Sequence, residues 1–249
     1  MENPKVLVIV PALNEEAAIG GVVRSIRENF PQFPVFVIDD YSEDATALVA
    51  EQAGAFVIRL SVHLGLGGCV QTGYKLAYEL GYDYVIRVDG DGQHEIQDIS
   101  KILDALITTG AEVVIGSRFV QSTGEYTSIP RSLGINFFRL LLWPILGEKI
   151  HDPTSGFVGV NRRALQVFAR TFPLQYPEIE ILVVLQRKRF RFHEVACRMH
   201  PRRTGKSTIT LITSFRYMVH VLLGVFVNVL RFDGTQGADG RDDGKEVSK

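Results

Sequence analysis

Apolar and polar residues follow two different periods along this chain. Short β-branched runs have the length and make-up of strands: Val6 to Val10, Val35 to Ile38, Phe56 to Ile58, Tyr84 to Val88 and Val113 to Ile115, with a later one around Phe157 to Val160. Between them, Glu16 to Asn29, Asp44 to Ala53, Gly68 to Leu80 and Ile96 to Thr109 repeat apolar residues every three or four positions, which gives a helix one apolar face. This alternation predicts an α/β fold, a mostly parallel sheet flanked by helices. In open sheets of this kind ligands bind beyond the carboxyl ends of the strands. Those ends carry Pro11, Asn14, Asp39, Asp40, Asp89 and Asp91.

The pattern changes near the C-terminus. Residues 209–231 are apolar around most of a helix surface, and Thr213, Arg216, His220, Gly224, Asn228 and Arg231 recur every three or four residues as one narrow polar stripe. A spanning helix needs roughly 20 largely uncharged residues, whereas the uncharged run from Tyr217 to Leu230 has 14. The segment therefore reads as an amphipathic helix in the membrane interface, or docked on a partner's membrane helix. A helix packed on the protein's own core is the alternative. From Asp233 the chain is rich in Gly, Asp and Lys without apolar periodicity. The expected organisation is a catalytic domain over 1–208, the apolar helix over 209–232 and a disordered tail over 233–249.

Composition narrows the class. With 249 residues, 46% hydrophobic and 22% charged, the chain can build a core without disulfides or structural metal. Its two cysteines, Cys69 and Cys197, form neither a disulfide framework nor zinc-site spacing, and read as buried thiols of a reducing compartment. The opening residues have no basic stretch ahead of an apolar one, so they do not read as a signal peptide, and a cytoplasmic location is expected. The net charge of −1 hides an asymmetry: residues 1–110 hold 16 acids against 7 bases, and residues 111–232 hold 17 bases against 7 acids. An acidic half suits a bound cation, and a basic half suits phosphate or an anionic membrane surface. Nucleic acid would suit it too, but no nucleic-acid module is visible, so no such partner is expected.

The strand Tyr84 to Val88 runs into Asp89-Gly90-Asp91-Gly92-Gln93-His94. Two carboxylates at alternate positions, with small residues between, can aim at one cation. Such hard oxygen ligands suit Mg²⁺ or Mn²⁺, which also bind substrate phosphates. A metal there would neutralise a diphosphate leaving group. His94 reads as a helix-capping or solvent-facing residue rather than a ligand.

These residues belong to an ordered series. It comprises Val10 to Glu16, Ile38 to Thr46, Leu64 to Gly67, Asp89 to His94, Gly116-Ser117-Arg118, Asp152 to Phe157 and Arg202 to Ser207. Over roughly residues 5–230 it resembles the inverting nucleotide-sugar glycosyltransferases of family 2, and within them the polyprenyl-phosphate sugar transferases related to dolichyl-phosphate mannose synthase. The resemblance implies a GT-A fold. It implies that Pro11, Leu13, Glu15, Asp39, Asp40 and Asp89 hold the nucleotide, and that Asp89, Asp91 and Gln93 organise the metal and diphosphate. Tyr41 stands where the family more often has Gly or Asn, and a positive φ there would be strained.

A sugar hydroxyl as acceptor would require a general base. A lipid phosphate is already anionic at neutral pH and needs cationic positioning instead. The resemblance places Arg118, Arg131 and Arg202 at the acceptor phosphate, and with Asp91 they are the residues expected to carry catalysis. Ser207, close in sequence to Arg202, is expected to join them at the acceptor phosphate, and Arg203, next to Arg202, is either a further contact or a surface charge. Ser155 is expected to donate to the phosphate and Asp152 to orient an arginine. Arginine's planar fork matches phosphate geometry in a way lysine does not. The run from Arg187 to Lys206, eight bases against Glu194 alone, reads as an anionic-lipid contact or a solvated face.

The leading expectation is an enzyme moving a sugar from a nucleotide sugar, UDP-linked in preference to GDP-linked, to a polyprenyl phosphate at the cytosolic membrane face. By resemblance a small integral membrane protein is a candidate partner. A same-fold rival acts on a saccharide hydroxyl with Glu178 or Glu180 as base. A rival of another class is a noncatalytic membrane-docking subunit, against which the intact Asp89/Asp91 pair argues.

Overall fold

The computed structural model describes residues 4–120, 136–140, 142–144, 147, 149–175 and 177–200. Among the described residues, seven strands form one sheet, ordered β3-β2-β1-β4-β6-β5-β7. They are β1 (Val6–Ala12), β2 (Val35–Asp39), β3 (Phe56–Arg59), β4 (Tyr84–Arg87), β5 (Val113–Ser117), β6 (Val158–Asn161) and β7 (Phe192–Ala196). The helices whose limits are described are α1 (Glu16–Asn29), α2 (Thr46–Gln52), α3 (Gly65–Glu79), α4 (Ile99–Thr109), α5 (Arg162–Phe168) and α6 (Pro177–Arg187), and residues 136–140 and 142–144 are helical as well.

β1 lies inside the sheet between β2 and β4, and all seven of its residues are buried. Covered on both faces, it has no polar side to show and reads as a continuous apolar run. Leu7 and Ile9 face one core with Tyr74, Val85, Phe168 and Leu182, under α3, α5 and α6. Val6, Val8 and Val10 face the other with Ile19, Val23, Ile26, Ile99 and Ile102, under α1 and α4. The period of two along the strand thus divides the domain into two cores on opposite faces of one sheet.

Every strand pair is parallel except those made by β6, which runs antiparallel to both β4 and β5. Its position was expected from sequence, but its reversal was not. The first predicted helix keeps its limits, while the fourth begins as a 3₁₀ turn over Ile96–Asp98, capped by the Glu95 side chain. β7 is a larger departure. It lies within the basic run read as a lipid contact or solvated face, and instead closes the sheet edge by pairing with β5 from Val113↔Phe192 to Ser117↔Ala196. No helix among the described residues is long and apolar enough to cross a membrane. The apolar segment 209–231 lies outside them, as do the expected acceptor residues Arg131, Arg202, Arg203 and Ser207.

Candidate active site

A cleft of about 300 Å³ opens over the carboxyl ends of β1, β2 and β4. Its lining includes Pro11, Leu13, Glu15, Asp40, Asp89 and Asp91, brought together from three separate loops. Hydrogen bonds tie the first two loops into one unit. The Asn14 N–H donates to Ser42 Oγ at 2.9 Å, the Glu15 N–H to Thr46 Oγ1 at 2.8 Å, and the Glu43 N–H to Asn14 Oδ1 at 2.9 Å. The two motifs that look separate in sequence are a single wall.

Asp40 forms part of that wall, and both its oxygens are used: Oδ1 accepts from the Leu64 N–H at 2.7 Å, and Oδ2 lies 2.9 Å from His63 Nδ1. His63 lines the cleft and was not singled out from sequence. Asp39 is fully buried beneath the wall and does not line the cleft. Its Oδ1 accepts from the Ser42 N–H at 3.1 Å, while Oδ2 stands 3.4 Å from Arg59 Nε without hydrogen-bond geometry. Tyr41, the next residue, has φ +66° and an exposed side chain. The strain expected there is therefore present, at roughly 1–2 kcal/mol for a left-handed non-glycine residue.

Asp89 follows the end of β4 and is enclosed from several sides. Arg87 Nη2 donates to its Oδ1 at 3.1 Å, and His94 Nε2 stands 3.6 Å from its Oδ2. Burial alone would raise its pKa, but the guanidinium charges of Arg87 and Arg118 hold the carboxyl below the ordinary aspartate value, so it is ionised. His94 is buried, stacks on Phe157 at 4.7 Å, and has its Nδ1 3.3 Å from the Asp89 N–H, where it accepts a hydrogen bond. That corrects the solvent-facing or capping reading: His94 supports the aspartate loop from below. Burial lowers its pKa against the pull of Asp89 and Asp91, which favours the neutral acceptor form. The Gln93 N–H donates to Asp91 Oδ1 at 3.0 Å, closing the turn that follows the second carboxylate.

The register of β6 explains what lies against Asp89. Arg87 pairs with Val158 in the antiparallel ladder, so continuing the register puts Gly156 opposite Asp89. A side chain at Gly156 would collide with both Asp89 carboxylate oxygens and with Arg87 Nη2. The carboxylate is seated on bare backbone.

Among the described residues no group of three or more His, Cys, Asp and Glu side chains is arranged around a metal. Two hard carboxylates on a cleft, one of them cradled on a glycine, fit a cation that completes its shell with water and substrate phosphates, as Mg²⁺ and Mn²⁺ do. Asp89 and Asp91 would hold it. When bound, such an ion supplies positive charge for a departing diphosphate.

The opposite wall comes from the loop before β6. Arg118 is clamped by Asp152, with Nε to Oδ2 at 2.7 Å and Nη2 to Oδ1 at 2.6 Å, and it donates to Thr154 Oγ1 at 2.8 Å. The expectation that Asp152 orients an arginine agrees with this geometry. Asp152 is held in turn by Glu194 of β7, which accepts from the backbone N–H groups of His151 and Asp152 at 2.7 and 2.8 Å and from His151 Nδ1 at 2.8 Å. Ser155 departs from expectation. Its buried hydroxyl donates to the Gly116 carbonyl at 2.6 Å and accepts from the Phe157 N–H, so its proton is committed to the loop rather than offered to a phosphate.

With this geometry established, residues 7–168 match the family model described as glycosyl transferase family 2. The chain is a family 2 glycosyltransferase. This glycosyltransferase is 28% identical over 219 residues to the UDP-N-acetylglucosamine–dolichyl-phosphate N-acetylglucosaminyltransferase of Methanococcus voltae, an alignment covering 78% of this chain and 85% of the relative. It is 32% identical over 160 residues to the undecaprenyl-phosphate mannosyltransferase of Micrococcus luteus, covering 61% of this chain and 65% of the relative. Among solved structures, glucosyl-3-phosphoglycerate synthase from Mycobacterium tuberculosis, crystallised with Mn²⁺, UDP and glucosyl-3-phosphoglycerate, superposes with a TM-score of 0.66 at 22% identity. That alignment covers 92% of this chain and 79% of the other, and it supports the fold alone. The order of strands and helices in the glycosyltransferase is thus shared well beyond its close relatives.

Proposed function

We propose that this glycosyltransferase moves a sugar, with inversion, from a UDP-linked donor to a polyprenyl phosphate at the cytosolic face of a membrane, with Mg²⁺ or Mn²⁺ as cofactor. The acceptor phosphate oxygen forms the new bond to the anomeric carbon as the bond to the nucleotide diphosphate breaks. The donor side is served by Pro11, Leu13, Glu15 and Asp40 on the joined wall, and Asp89 and Asp91 lie at the diphosphate. Arg118, with Arg131 and Arg202, serves the acceptor phosphate. The apolar segment 209–231 is the proposed membrane contact.

The observation that carries this reading is what the acceptor-side wall offers. It presents an arginine fixed by a bidentate carboxylate, while Glu178, a cleft-lining acid that a hydroxyl acceptor would need as its base, is ion-paired with Arg87 at 2.8 Å. A carboxylate engaged in that way is a poor general base, which counts against a saccharide hydroxyl as acceptor. An acceptor that arrives ionised needs no base and gains from the fixed guanidinium. The names of the relatives in Methanococcus voltae and Micrococcus luteus point the same way.

The test is a product analysis of the full chain with UDP-N-acetylglucosamine, UDP-glucose and GDP-mannose, each offered with undecaprenyl or dolichyl phosphate in vesicles, in competition with free monosaccharide acceptors, and with Mg²⁺ or Mn²⁺ present. An acid-labile glycosyl phosphate lipid supports the proposal. A stable disaccharide, with no lipid-linked product, refutes it.

A further inference from the structure

Arg87 is the last residue of β4 and points into the core side of the sheet, where Val85 and Tyr74 are also buried. A guanidinium in such a place is costly unless it is paired. One nitrogen, Nη2, serves two acids: Asp89 Oδ1 at 3.1 Å and Glu178 Oε1 at 2.8 Å. The Nε atom is buried with no hydrogen-bond partner. Glu178 comes from the first turn of α6, 91 residues away in sequence, and has no other partner among the described residues. All three side chains line the cleft.

An arginine and a divalent cation compete for the same carboxylate. If Asp89 alone faced the full guanidinium charge, its attraction for a metal would be largely cancelled. We propose that Arg87 and Glu178 act as a charge-balancing pair: Arg87 lies against the Asp89 carboxylate, and Glu178 draws off enough guanidinium charge for Asp89 to keep its hold on a divalent cation. The pair also makes the seating of α6 part of the condition for metal binding. The inference rests on Asp89 and Asp91 being the metal carboxylates.

Charge arithmetic makes it testable. Arg87, Glu178, Asp89 and Asp91 sum to −2; Glu178→Gln leaves −1, and the double variant Arg87→Gln/Glu178→Gln returns to −2. The full chain is titrated with Mn²⁺ in the presence of UDP, and free Mn²⁺ is read by electron paramagnetic resonance. Glu178→Gln should weaken Mn²⁺ binding about tenfold, while Glu178→Asp, which keeps the charge, and the double variant should both stay within about threefold of the parent. Thermal unfolding of each variant monitors the fold. A purely structural role for the pair would leave the double variant at least as weak as Glu178→Gln, and that result, or an unchanged Glu178→Gln, overturns the inference. Failure of the parent chain itself to bind Mn²⁺ would instead overturn the metal assignment on which it stands.

Discussion

Gly156 and Asp89 are neighbours that only a glycine permits: a Cβ built at 156 would stand 2.7 Å from Asp89 Oδ1 and 2.8 Å from Arg87 Nη2. Gly156→Ala should therefore push the carboxylate off its seat. The expected outcome is a loss of roughly tenfold or more in Mn²⁺ affinity and turnover, with a stability cost of about 1–3 kcal/mol typical of overpacking. Calorimetry and Mn²⁺ titration on the same sample separate the two effects. Unchanged metal affinity would show that the seat is not needed.

Asp91 lies on the cleft and is only partly buried. Asp91→Asn removes a charge without removing volume, so it should lower turnover by about a hundredfold or more while leaving the unfolding midpoint close to that of the parent. Chelation of divalent ions should mimic it in the parent chain. Undiminished turnover in the variant would count against this carboxylate as a metal ligand.

Arg118 grips Asp152 through two parallel bonds and Thr154 through a third. Lysine keeps the charge but not the fork. Arg118→Lys should raise the KM for the lipid phosphate about tenfold and leave the KM for the nucleotide sugar near its original value. Equal changes in both constants would place this arginine on the donor side.

Glu194 acts on the same arginine from one step further away. Replacing it with alanine removes the acceptor for two backbone N–H groups of the 151–152 turn. We expect a stability loss of about 1–3 kcal/mol and an acceptor KM raised as in Arg118→Lys. Glu194→Gln, able to accept one of those bonds, should recover part of both. No change in acceptor KM would separate the turn from acceptor binding.

Both thiols are buried, and burial pushes the pKa of Cys69 and of Cys197 up to about 12. In the folded chain each holds its proton more tightly than in the unfolded chain, whose thiols titrate near 9.0. The stability this provides is intact below pH 9 and declines as pH rises from there toward 12. A thiol reagent at pH 8 should find almost no reactive sulfur in the native protein and two per chain after denaturation. Rapid labelling of the native protein would show that one of these sites opens.

Much of the donor side was legible in the sequence, because a buried parallel strand announces itself as an apolar run and the residues after it must line the crevice. Asp40, Asp89 and Asp91 were found that way, while Asp39 proved to lie beneath the crevice rather than on it. β7 was missed for a physical reason: as an edge strand it is only half buried, and its Phe192-His193-Glu194-Val195-Ala196 sits among basic residues that mask a weak alternation. α5 carried a readable sign, since the Asn161 side chain caps it by accepting from the N–H groups of Arg163 and Ala164. Arg87 could have been suspected as a charge inside an apolar strand. Its second partner could not, because nothing in the sequence places Glu178 against a residue 91 positions away.

The reversal of β6 has an architectural result. Because this one strand enters the sheet from the crevice end, the turn leading into it arrives at the same rim as the loops leaving β1, β2 and β4. Under the proposed function, Arg118 and residues 149–157, which serve the sugar receiver, thereby share a rim with the loops that serve the donor. Grafting residues 118–157 together with 200–231 between relatives should transfer the choice of receiver while leaving the choice of nucleotide with the host.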